Sequence, residues 1–179
     1  MVVGDHALIR DGDRFKLWHV GITCGQRGYR NAQDVLVPSA MERITGLRRT
    51  QAMRHDTAER LILEGGGIET DGRTTMLVNE EWLLSDVQVR NPGYTREDYE
   101  RAFGEYLGIT HTIWLGEGCV GDDTHGHIDD IARFVAPDTV VLAVERDPAD
   151  DNHERSIDNL RRLKAASADP SVGPLRVVE

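Results

Sequence analysis

A chain of 179 residues with 39% hydrophobic content is long enough for one domain with a sizeable core, and a single domain is the expectation. The formal net charge of -10 and a pI near 5.1 argue against nucleic acid or an anionic membrane as partner, because both need a concentrated basic patch, whereas a cationic ligand suits that balance. Cys24 and Cys119 form no Cys-x-x-Cys pair, and with no signal-peptide pattern and no long apolar span a reducing cytoplasm is the expected home.

In chain order, residues 2–9 and 15–20 read as strands on either side of the turn Asp11-Gly12-Asp13, which signals a hairpin. After a glycine-rich loop, Pro38 opens a helix with Met41, Ile44 and Leu47 at helical spacing, and Leu61-Ile62-Leu63 reads as a short buried strand. The order then repeats. Residues 68–70 and 74–78 flank Asp71-Gly72-Arg73, Asn91-Pro92-Gly93 breaks the chain, Thr95 caps a helix with Asp98 at its third position, and Ile113-Trp114-Leu115 follows as a strand. A third round has residues 127–135 and 139–144 flanking Ala136-Pro137-Asp138, a break at Asp147-Pro148, a helix over 152–165 with Ile157, Leu160 and Leu163 on one face, and a last strand at 175–178.

The three helices start about 57 residues apart, so the chain reads as an α/β protein built from a strand, strand, helix, strand module used three times, over residues 1–63, 64–126 and 127–179. Glu64 and His127 both fall at the start of a module, and a ring of such modules would aim them at a common centre. Such a ring needs closure, since unpaired modules leave apolar faces and strand edges open, and those edges also leave self-association open.

The stretch DDTHGHIDD, residues 122–130, sets four carboxylates around two histidines and runs directly into the apolar IARFV. Three readings of it are open. The spacing His125-x-His127-x-Asp129 is part of a zinc hydrolase motif, but Asp130 stands where that motif wants a histidine and few further imidazoles follow. Alternatively, Asp122 and Asp123 cap nearby amides in an ordinary loop. The third is metal-free proton transfer. His127 and Asp129, two apart in an extended segment, share a face, so that the imidazole carries a proton while the carboxylate grips a planar guanidinium. Glu64 could orient or charge-stabilise His127, or could accept hydrogen bonds from the amides of residues 65–67.

Taken together, EGGGIETDG, VRNPGYTREDYERAFGEYLGI, IWLGEG, GDDTHGHIDDIARFVAPDTVV and NLRRLKAA resemble agmatine deiminases and the bacterial-type peptidylarginine deiminases, in the family's order and from about residue 61 to the C-terminus. The resemblance implies a five-module α/β propeller of the guanidino-group-modifying (pentein) superfamily, of which about three modules are present. It implies hydrolysis of a small cationic guanidino substrate, agmatine, to N-carbamoylputrescine and ammonia in putrescine biosynthesis. A cysteine thiolate would act as nucleophile, with no metal and no cofactor. It further implies His127 as general acid and base, Asp129 as a carboxylate holding the guanidinium, and Glu64 as the acidic partner in the centre and in substrate binding.

The family's Trp-x-Arg-Asp-x-Gly-Pro motif, which carries another guanidinium-binding aspartate, and its Gly-Gly-Gly-Asn-x-His motif before the nucleophilic cysteine do not occur in these residues. Cys119 stands where the family has an aliphatic residue and Cys24 where an aromatic is common, so neither is assigned as nucleophile. His125 and Trp82 are smaller departures. A central fragment, inactive alone toward agmatine, is the expectation.

Overall fold

The computed structural model describes the backbone of residues 6–11 and 14–19 and all atoms of residues 37–179. The described strands form three three-stranded sheets of identical plan. In the first, β1 (His6–Asp11) and β2 (Arg14–His19) pair antiparallel, and β3 (Arg49–Gln51) lies parallel to β2 after helix α1 (Val37–Thr45). In the second, β4 (Glu69–Thr70) and β5 (Thr75–Asn79) are antiparallel, the short helix α2 (Glu80–Leu84) and then α3 (Arg96–Leu107) follow, and β6 (His111–Leu115) returns parallel to β5. In the third, β7 (Ala132–Ala136) and β8 (Thr139–Leu142) are antiparallel, and α4 (His153–Ser167) carries the chain to β9 (Arg176–Val178), parallel to β8. A parallel return needs a long crossover, and the helix supplies it each time. The sheets begin at His6, Glu69 and Ala132, an interval of 63 residues each time, so the repeated order expected from the sequence is present. The expected turn at residues 12–13 lies outside the described residues.

Three local expectations are corrected. Leu61 and Leu63 are fully buried, but residues 61–63 do not extend into a strand: Ile62 forms a single β-bridge, while the side chain of Asn91 reaches both polar groups of its backbone, its Oδ1 accepting from the amide at 2.9 Å and its Nδ2 donating to the carbonyl at 2.7 Å. Helix α1 ends at Thr45, before Leu47, since Gly46 turns left-handed at φ 68°, and Ile44 points outward with 83% exposure. The third is that β7 starts at Ala132 rather than at 127, because Ile128–Asp130 close a 3-10 turn.

The α3 ends are specified locally. Thr95 Oγ1 accepts from the Asp98 amide at 3.3 Å, Asp98 Oδ2 accepts from the Thr95 amide at 2.9 Å, and Gly108 closes the helix with φ 71°. Strand β5 is buried along its whole length, as a strand covered on both faces must be. Its alternation divides the core: Met76 and Val78 join Leu61, Leu63, Trp82, Tyr99 and Phe103, whereas Leu77 joins Leu115, Ile128, Val140, Leu142 and Leu163 on the other side. Each large apolar side chain fully buried this way contributes about 1.5–3 kcal/mol. The second sheet is therefore a wall between two apolar clusters, with the segment that leads to Glu64 on one side and the turn after His127 on the other.

Candidate functional site

Glu64 follows the buried Leu63 in extended conformation and leads into a 3-10 turn at Gly65–Gly67. Its carboxylate is held from two directions: Trp82 Nε1 donates to Oε2 at 2.6 Å, and Arg90 Nε lies 3.3 and 3.2 Å from Oε1 and Oε2. Of the alternatives read from the sequence, the Gly67 amide goes to the Glu64 carbonyl, at 3.1 Å, and not to its side chain.

His127 occupies the matching place before the 3-10 turn at Ile128–Asp130. Its amide donates to Asp122 Oδ2 at 3.1 Å and its carbonyl accepts from Asn79 Nδ2 at 3.3 Å, so the peptide is gripped on both sides. The ring lies edge-on to Trp82, with centroids 5.8 Å apart at 86°. Nε2 is buried without a hydrogen-bond partner, 3.6 Å from Glu64 Oε2, while Nδ1 is 4.0 Å from Asp129 Oδ1. Both separations exceed a hydrogen bond but are short for charge. Glu64, His127 and Asp129 thus meet. Asp129 reaches His127 through the closing of a turn rather than through strand alternation, which corrects the reason given by the sequence and not the juxtaposition.

The glycine run is explained by this meeting. A Cβ on Gly66 would stand 2.5 Å from His127 Nδ1 and 2.9 Å from both Asp129 oxygens, and one on Gly67 would stand 2.3 Å from the indole of Trp82. Without a Cβ, the Gly66 backbone packs directly against the His127 imidazole and the Asp129 carboxylate, and Gly67 lets Trp82 close beneath Glu64. On the outer side Asp129 is 31% exposed and lies 3.7 Å from Arg133 Nη2, whose Nη1 is anchored on Glu69 at 2.6 Å.

Asp122 is the capping residue expected of this loop. Oδ1 accepts from the amide and hydroxyl of Thr124, and Oδ2 from the amides of Gly126, at 2.9 Å, and His127. Burial works to raise its pKa, but these four donors outweigh it and hold the carboxyl below its ordinary range. Asp130 shifts the other way, raised by burial and by the negative charges of Asp122 and Asp129. At Asp123 the carbonyl oxygen rather than the carboxylate is engaged, accepting from Gln88 Nε2 at 3.1 Å.

The His-x-His-x-Asp spacing does not assemble a metal site. His125, at φ 60°, turns its ring away from His127: Nε2 pairs with Ser85 Oγ at 3.0 Å and Nδ1 faces Glu81 at 3.7 Å. Among the described residues no group of three or more His, Cys, Asp and Glu side chains could hold a metal ion, so the metal-hydrolase alternative finds no support. Cys119 is exposed, with Sγ 3.7 Å from the Val120 carbonyl oxygen, and Cys24 lies outside the described residues. Sequence reading missed Arg90 and Asn79, and took Trp82 only for a departure. No spacing rule connects Arg90 to a carboxylate 26 positions upstream; its place in Arg-Asn-Pro, before a turn, was the only trace.

A family model described as Porphyromonas-type peptidyl-arginine deiminase matches residues 14–179. The chain belongs to this family. Within the deiminase family, an agmatine deiminase of Pseudomonas syringae pv. syringae is 43% identical over 97 residues, which cover 54% of this chain and 26% of the relative. An agmatine deiminase of Pseudomonas savastanoi pv. phaseolicola is 42% identical over 94 residues, 52% of this chain and 25% of the relative. The solved agmatine deiminase of Enterococcus faecalis superposes with a TM-score of 0.78 at 29% identity over 94% of this chain and 45% of that one. The deiminase family's mixed α/β fold is therefore the fold of this chain, which spans less than half of that solved structure. No described helix is long and apolar enough to cross a membrane.

Proposed function

We propose that these residues furnish the acid-base and carboxylate part of an agmatine deiminase-like centre, and that the three sheets are consecutive modules, 1–63, 64–126 and 127–179, of a five-module propeller. The observation that carries the reading is the convergence of His127, Glu64 and Asp129 beside the close-packed Gly66 backbone. A guanidinium is flat and cationic, and a carboxylate as exposed as that of Asp129 can bind it through paired N–H donors. Asp129 takes this role, Glu64 orients His127 and adds negative charge toward the bound cation, and His127 moves the protons.

In the complete reaction a thiolate adds to the guanidinium carbon, and the C–N bond breaks as His127 delivers a proton to the departing ammonia. His127 then takes a proton from water as that water attacks the thiouronium carbon, which releases the ureido product, N-carbamoylputrescine, and regenerates the thiolate. That product would feed putrescine formation. Neither Cys24 nor Cys119 is assigned as the thiol, so the 179-residue polypeptide by itself binds agmatine without turning it over.

The test is a thermal shift with agmatine, combined with an ammonia assay. Agmatine at about 100 times its Kd adds about 2.7 kcal/mol to the unfolding free energy, and Asp129→Ala abolishes the effect. No agmatine-dependent shift at any concentration would sink the guanidinium reading. Ammonia release lost in His127→Ala would overturn the statement that the polypeptide does not turn over.

A further inference from the structure

Glu64 stands 3.6 Å from an imidazole nitrogen, and an uncompensated carboxylate at that distance would hold the imidazole in its protonated form. A proton carrier has to give its proton up as readily as it takes one. Arg90 answers this requirement. Its side chain is 2% exposed, Nε lies against both oxygens of Glu64, Nη1 donates to the Gln88 carbonyl at 3.1 Å, and Nη2 donates to the Thr124 carbonyl, three residues before His127. The neighbouring Asn91 fixes the backbone of Ile62, two residues before Glu64. One buried cation thus joins the acidic side chain to the loop that bears the imidazole.

We propose that Arg90 is a positioning residue, which fixes the Glu64 carboxylate beside His127 and offsets its charge so that His127 exchanges its proton in both directions. This rests on His127 being the proton carrier of the proposed centre. Among the described residues, the other charges around His127 are Asp129 at its Nδ1, Asp122 at its amide, and Asp130 in the following turn, with Arg133 balancing Asp129 from outside. None of them touches Glu64 as Arg90 does.

The test is a pH titration of the histidine rings by NMR on the 179-residue chain without ligand, with the His127 signal assigned by its loss in His127→Ala. In Arg90→Met the midpoint rises by about one pH unit or more, because the guanidinium charge no longer offsets that of Glu64 beside the imidazolium. Adding Glu64→Gln to that variant cancels the rise, and Arg90→Lys, which keeps the charge, stays near the wild type. Should Arg90→Met not fold, Arg90→Gln, which still offers an amide N–H to Glu64, reads the same rise. A folded neutral variant that titrates as the wild type overturns the proposal, as does a rise that persists without the carboxylate. The titration uses no guanidino compound, so a failure to bind agmatine and a failure of this proposal are separate results.

Discussion

Gly66→Ala separates the proposed function from the fold. The added Cβ would sit 2.5 Å from His127 Nδ1 and 2.9 Å from the Asp129 oxygens, whereas non-bonded heavy atoms rest near 3.5–4.0 Å, so the imidazole must withdraw by about 1 Å. The Asp129 carboxylate, at 31% exposure, has room to rotate outward. The imidazole does not retreat so freely, because Trp82 and Glu64 lie beside it and its peptide is held by Asp122 and Asn79. Overpacking of this kind costs about 1–3 kcal/mol, and the confined imidazole keeps it above the low end. For a domain of this length each kcal/mol lowers Tm by about 2–4 °C. The effect on the site is larger, since both groups proposed to face the guanidinium move, and the agmatine-dependent rise in Tm disappears. Gly67→Ala is the comparison. There the Cβ meets the ring of Trp82, which is 1% exposed, at 2.3 Å, so the loss falls on the fold, at about 3 kcal/mol or more. Both are measured by thermal unfolding with and without agmatine. If Gly66→Ala keeps the full agmatine response, the cation does not bind beside His127 and Asp129.

Two further predictions concern pH. Asp122 is held below its ordinary value of 3.8, so its stabilisation of the loop is complete above that value and is lost as pH falls through the lower folded one. Urea midpoints measured from neutral pH into the acid range therefore fall more steeply for the wild type than for Asp122→Asn, and equal slopes would show that the loop does not depend on this charge. Tyr99 is fully buried, and burial raises its phenol to about 12 from an ordinary 10.0 despite the Asn91 amide that favours the phenolate. The contribution is complete below the ordinary value and is lost as pH rises through the folded one, about 3 kcal/mol in all. Phenolate absorbance followed against pH should show one tyrosine ionising late and together with unfolding, and Tyr99→Phe should remove that step.

The features legible in the sequence are those written within a few residues. Thr95 and Asp98 specify the start of α3 through neighbouring backbone groups, and Asp71-Gly72-Arg73 turns β4 into β5 by the same local logic. The repeat was visible because strand alternation and helical spacing recur at a fixed interval. Glu64 and His127 were legible for a related reason: each stands ahead of the first strand of its sheet, just before a 3-10 turn, and equivalent places in repeated modules come together. What escaped depends on contacts between modules or on side chains that stand in for backbone. Ile62 lies in a run with every mark of a strand, yet it makes only a single β-bridge and its backbone polar groups go to the amide of Asn91, a contact no periodicity signals. His125 and His127 look equivalent in the letters, but the positive φ at His125 and at Gly126 sends one ring to Ser85 and the other to Glu64, which separates a metal-binding pattern from a metal-binding site. Arg90 carries the same lesson into the chemistry. An acidic residue near a histidine is readable in the letters, but the buried cation that touches the acid is assigned to Glu64 only once the chain has folded around both.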